Sequence, residues 1–115
     1  MRSARLKPGL WVGAQLKRCD ALGLPFAVLR HGDDHGGTII LKLVRGDGAV
    51  ELLSQATADD GGLAWRRPLG PGTLSEPDAD GYIARQASFD PDVWALEIID
   101  RAGLFELDGG IIEDG

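Results

Sequence analysis

Four side chains able to bind a metal stand within five positions in HGDDHGG, residues 31–37: His31, Asp33, Asp34 and His35. A zinc site needs three or four protein ligands held on a rigid scaffold. Histidines four apart can share one face of a helix, but three glycines in seven residues disfavour a helix here. The flanks, FAVLRH (26–31) and TIILKLVR (38–45), are rich in branched and aromatic residues and bounded by glycine, which reads as strand. HGDDHGG therefore reads as a hairpin loop joining two antiparallel strands, its four polar side chains turned to solvent. His31, Asp33, Asp34 and His35 are the metal candidates, and no metal or cofactor is expected.

A second group of acids lies in FDPDVWALEIID, residues 89–100: Asp90, Asp92, Glu97 and Asp100. A Pro-Asp pair followed by Glu on a strand is the acid pattern of magnesium nucleases, which add Lys two places after that Glu. Ile99 stands there instead. The favoured reading gives Asp90 and Asp92 to a turn and Asp100 to the next one. The alternative is a small metal-dependent hydrolase or nuclease using Asp92, Glu97 and Asp100. GPGT (70–73) echoes a phosphate loop, but no GK[ST] and helix follow, and Pro71 lacks an amide donor. No GxSxG, CxxC or HExxH pattern occurs. Arg66 and Arg67, next to Trp65, suit an anion clamp or a solvated strand face. The residues assigned to an interaction surface are Arg18, Arg66, Arg67, Asp90, Asp92 and Glu97, with none assigned to catalysis.

These residues need elements to position them. Trp11, Val12, Gln15, Leu16, Cys19 and Leu22 recur at helical spacing, and Gly23 and Pro25 end the run, which predicts a helix from about Leu10 to Leu22. Cys19 lies on the apolar stripe and reads as a core residue rather than a nucleophile. Residues 49–55 and 63–69 read as further strands, with a tight turn at GDG (46–48). A second helix is expected from Ser75, a candidate N-cap with Asp78 three residues on, to a stop before Pro91. VWALEIID (93–100) is the clearest strand, with Trp94, Leu96 and Ile98 on one face. LFEL (104–107) is expected to return as the last strand. The sum is an α+β domain in the order α-β-β-β-β-α-β-β. It has a mostly antiparallel sheet of five or six strands and two helices on one face. Trp94 reads as a core residue. The strands 38–45 and 93–100 are apolar on both faces, so the face left bare suggests a homodimer.

The chain has 115 residues, suited to one domain over 1–115, with loose ends expected at 1–8 and 109–115. Its formal net charge of −6 argues against nucleic acid and anionic membrane as general partners. The charge is uneven, with +5 over residues 1–45 and −11 over 46–115. Packing of the two halves into one fold would neutralise this asymmetry. No apolar run approaches a membrane span. The single cysteine admits no intrachain disulfide. The expected setting is the cytoplasm, and the expected partner a protein.

LWVGAQLKRCDALG, GTIILKLVRGDGAVELL and FDPDVWALEIIDRAGLFEL together resemble the small alphaproteobacterial proteins grouped as domain of unknown function 1491. The resemblance runs over nearly the whole chain and is strongest at Trp11, Arg18, Cys19, Phe89, Asp90, Pro91, Asp92, Trp94, Glu97, Asp100 and Arg101. It implies a cytoplasmic bacterial protein and carries over no catalytic residue or cofactor. HGDDHGG lies outside its pattern. The residues and the resemblance together favour a non-enzymatic protein-binding or adaptor module.

Overall fold

A computed structural model describes residues 7–112. Helix α1 spans Pro8–Leu22, beginning two residues before the expected Leu10 because Pro8 is preset for the first helical turn. Trp11, Val12, Gln15 and Cys19 form its buried stripe. Gly23 takes the left-handed conformation at φ +73°, so the amides of Gly23 and Leu24 reach Asp20 O and Cys19 O. Strands β1 (Phe26–Arg30), β2 (Ile39–Val44), β3 (Val50–Thr57) and β4 (Leu63–Arg66) follow. Helix α2 (Glu76–Phe89) starts as its sequence requires, with Ser75 Oγ accepting from Asp78 N at 3.2 Å. Strands β5 (Trp94–Ile99) and β6 (Gly110–Ile111) complete the order.

The six strands form one mixed sheet in the order β1-β5-β2-β3-β4-β6. The pairs β1–β5, β2–β3 and β3–β4 are antiparallel, while β2–β5 and β4–β6 are parallel. The expected hairpin between 26–31 and 38–45 therefore does not form. Strand β5 separates the two. Both faces of β5 are apolar, with Trp94, Leu96 and Ile98 on one and Ala95 on the other, and only a central place buries both. The tight turn at 46–48 does join β2 to β3, with Asp47 at φ 63°.

One helix covers each face, not two on one as expected. Trp11, Val12 and Cys19 of α1 pack on Ile39, Leu41, Leu43, Leu53, Trp65, Trp94, Leu96 and Ile98. Ala79 and Ile83 of α2 pack on Ile40, Val44, Val50, Leu52 and Ala95. The split follows from the crossover β4-α2-β5, which returns the chain to an interior place between β1 and β2 on the side opposite α1. With both faces covered, the reason given above for a face-to-face homodimer disappears. Trp94 is buried, as expected of a core residue.

The segment 104–107 is not a strand. Asp100 accepts the amides of Leu104 and Phe105, both at 2.8 Å, which bends this segment away from the ladder. Phe105 is buried in the α1-side core, and the last strand forms later, where Gly110–Ile111 add to β4. Of the ends expected to be loose, 1–6 and 113–115 lie outside the described residues. Within them, Pro8 opens α1 and Gly110–Ile111 form β6.

Candidate functional site

The acids of the 89–100 block do not converge. Glu97 and Asp100 lie on or next to the far end of β5, whereas Asp92 precedes its start, roughly 25 Å of extended chain from Asp100. Both of the far acids are matched by cations, Glu97 by buried Lys42 and Asp100 by partly exposed Arg45. Lys42 Nζ, on a side chain only 4% exposed, lies 2.9 Å from Glu76, 2.9 Å from Asp80 and 3.0 Å from Glu97. The parallel register places Lys42 beside Glu97, and α2 supplies the other two acids. Burial alone lowers a lysine pKa, but the bonds to Asp80, Glu76 and Glu97 outweigh it and raise this one above its ordinary value.

Asp100 is fully buried. Burial works to raise its pKa, yet the Phe105 and Leu104 amides and the Arg45 guanidinium, 2.8 Å away, prevail and lower it. Arg45 also holds Glu51 at 3.0 Å, and Glu51 holds Arg67 at 3.2 Å. The pairs of Lys42 and Arg45 join the basic first part of the chain to acids of the remainder, so part of the uneven charge is matched inside one fold. A catalytic centre built on Asp92, Glu97 and Asp100 has no common focus.

HGDDHGG is a packed crossing rather than a hairpin tip. It passes over the start of β5, where Asp33 N donates to Asp92 O and Trp94 Nε1 donates to Asp33 O. A Cβ on Gly32 or Gly37 would lie 2.3 or 2.0 Å from Asp92 O, so close approach of two backbones demands glycine at both. Asp33 Oδ2 accepts the amides of His35 and Gly36. The His31 ring packs on Trp94 at 4.2 Å and its Nε2 is 3.8 Å from Asp34. His31, Asp33, Asp34 and His35 are exposed. Among the described residues, no three His, Cys, Asp or Glu side chains are grouped to hold a metal. Cys19 is buried, and burial pushes its thiol pKa up.

The proposed surface residues are scattered over the fold. Arg18 bonds Gln15, Asp108 and the Glu106 carbonyl and lies over the Phe105 ring, tying the C-terminal segment to α1. Arg66 is exposed on β4. Asp90 caps α2 and accepts from Asp92 N at 3.0 Å. Arg18, Arg67 and Glu97 thus have partners within the chain, while Asp90 and Asp92 shape the turn before β5.

The surface feature not named from the sequence is the outer edge of β1. Ile99 N donates to Pro25 O at 3.0 Å. Antiparallel bonding alternates along the ladder, so Ala27, opposite Glu97, bonds β5. Phe26 and Val28, opposite Ile98 and Leu96, turn their N–H and C=O outward. Val28 is 43% exposed and Leu29, at a bulge, 46%. Arg30 Nη2 donates to Pro91 O, which brings the end of α2 to this edge, where Phe89 is 81% exposed. The apolar run FAVLR reads as strand in the sequence, but only the sheet order shows it to be an edge.

The chain matches a family model described as "Protein of unknown function (DUF1491)" over residues 6–107. It belongs to this family. A crystal structure of a DUF1491 family protein from Caulobacter crescentus CB15 is 36% identical, with a TM-score of 0.82 over 94% of this chain and 100% of that one. An NMR structure of a DUF1491 family protein from the same organism is also 36% identical, with a TM-score of 0.81 over 96% and 100%. The solution structure of protein Atu0922 from A. tumefaciens is 23% identical and shares the fold, with a TM-score of 0.72 over 90% of each chain. No curated protein matches. The two identified relatives agree with the whole-chain resemblance seen in the sequence. Among the described residues, no helix is long and apolar enough to cross a membrane.

Proposed function

We propose that this DUF1491 protein is a non-enzymatic protein-binding module that takes its partner by strand addition along β1. The observation that carries the reading is the edge of β1, unpaired among the described residues, where outward backbone groups lie beside exposed Val28 and Leu29. An added strand gains main-chain hydrogen bonds from such an edge and specificity from alternate side chains. Exposed Phe89 extends the apolar surface, and Asp90 and Asp92 in the adjoining turn form a polar rim. The net charge of −6 supports a protein rather than a nucleic acid as the partner. The single buried cysteine fits a cytoplasmic setting.

The test is an affinity pull-down from the source organism with the parent protein and a Val28→Pro variant. The Val28 amide points away from β5, so proline there removes a donor to an incoming strand and none to the sheet. The expected result is a partner retained by the parent and lost by the variant, with the melting temperature lowered by no more than about 5 °C. Equal capture by both proteins rejects the reading.

A further inference from the structure

We propose that a second copy of this chain is a partner of the β1 edge, the two β1 strands pairing antiparallel about a two-fold axis at Ala27. The inference rests on the strand-addition reading and names an occupant for that site.

Two edges bound the sheet, and they differ. Strand β6 is two residues long and contains Gly110, which leaves little to pair. Strand β1 has five residues, no lysine and no internal proline. Its one charged residue, Arg30, turns its guanidinium to Pro91 O instead of guarding the edge. Proteins that remain monomeric usually blunt such an edge with charge, proline or shortness.

The backbone then selects one register. Only Phe26 and Val28 present outward N–H and C=O groups, because Ala27 bonds β5 and the bulge after Val28 returns Arg30 to it, opposite Ala95. A two-fold axis at Ala27 sets Phe26 of each copy against Val28 of the other and makes about four hydrogen bonds. An axis at Phe26 or at Val28 makes about half as many. The register at Ala27 is therefore favoured by geometry before any side chain is considered.

The side chains agree with it. Phe26 and Val28 stand opposite Ile98 and Leu96 and so share the α1-side face. Pairing lays Phe26 of one copy against half-exposed Val28 of the other, an aromatic and a β-branched residue, and continues that apolar layer across the axis. Ala27 meets Ala27 at the close, non-bonded position, where Cα atoms lie about 4.5 Å apart and a small side chain fits. Pro25 faces Leu29, Leu24 faces Arg30, and no charge opposes a like charge. So short a ladder belongs with interfaces below about 1,200 Å², so the dimer is weak and reversible. Each copy carries −6, so added salt strengthens the association by screening repulsion.

The test combines sedimentation with cysteine cross-linking. The parent protein is expected to show a dimer fraction that rises with concentration up to about 1 mM and with salt, and Val28→Pro to stay monomeric. Ala27→Cys is expected to oxidise to a covalent dimer at least about tenfold faster than Ala102→Cys, because Cα atoms about 4.5 Å apart suit a disulfide. Cys19, fully buried, does not compete. A parent that stays monomeric at about 1 mM, or an Ala27→Cys chain that cross-links no faster than Ala102→Cys, overturns the proposal. If either occurs while Val28→Pro still loses a captured partner, only the second copy is rejected and strand addition stands. If Val28→Pro keeps every captured partner while the parent dimerises through Ala27, strand addition to other proteins fails and self-pairing stands.

Discussion

Asp100, assigned from the sequence to the turn after β5 and only in the alternative reading to a catalytic site, anchors that turn. Its buried carboxylate binds two amides and a guanidinium, which fixes where the chain turns after β5. Its folded-state pKa is lowered, so its contribution is fully present above the unfolded value, about pH 4, and is lost as pH falls through the folded value. Asp100→Asn should cost about 2–3 kcal/mol at pH 7, by leaving Arg45 and one amide poorly matched. In urea melts the gap between parent and variant should narrow as pH falls below the unfolded value of about 4. A gap unchanged with pH would show that the charge of Asp100 does no stabilising work. A second residue-scale prediction uses adjacent glycines. Gly37→Ala drives a Cβ to 2.0 Å from Asp92 O, whereas the nearest atom to a Cβ on Gly36 is 3.8 Å away. Gly37→Ala should cost about 2 kcal/mol or more, Gly36→Ala about 0.5 or less. Equal losses in thermal melts would count against the close crossing.

At the scale of elements, α2 is held to the sheet by a modest apolar contact and one ion cluster around buried Lys42. Ala79 and Ile83 are its buried residues. Glu76 and Asp80 reach Lys42, which β2 presents beside Glu97. Lys42→Met leaves Glu97 partly buried without a cation. The loss should be about 1–2 kcal/mol, limited because two of the three carboxylates are half exposed. Amide exchange should quicken in residues 76–89 more than in β3. A uniform increase over the sheet would show that the cluster does not act on α2 in particular. The folded-state pKa of Lys42 is raised, so its contribution is present below the unfolded value of about 10.4 and lost only as pH rises through the folded one. The stability gap should therefore stay constant between about pH 7 and 10.

At the scale of the whole molecule, the C-terminal segment closes the α1-side core. Phe105 is buried there, Asp108 O accepts from Trp65 Nε1 at 2.6 Å, and Arg18 clasps the segment from α1. Trp65 in turn packs on Trp11, 5.4 Å between ring centres. Truncation after Gly103 should uncover both tryptophans, shift their emission to the red and broaden the denaturant transition. A truncated chain with the parent's spectrum and midpoint would show that 104–112 is dispensable to the core. The same closure joins Arg18 in the basic first part of the chain to Asp108 near its acidic end.

The residues alone determined both helices, the capping of α2 by Ser75, five of the six strands and the burial of Cys19 and Trp94. Each of these depends on local spacing, turn chemistry or hydrophobicity, which a linear chain displays. Tertiary structure decided the rest. Strand β5 displaced the expected 26–31/38–45 pairing because a strand apolar on both faces is buried only at the centre. Asp100 prevented a strand at 104–107 by capturing two amides, and the last strand formed at 110–111 instead. Lys42 gave no sign in the sequence of meeting Glu76, Asp80 and Glu97, since ion pairs form between residues far apart in the chain. The open edge of β1 was hidden for the same reason. A strand's own residues show that it will pair, but only the order of the assembled sheet leaves one of its sides without a neighbour.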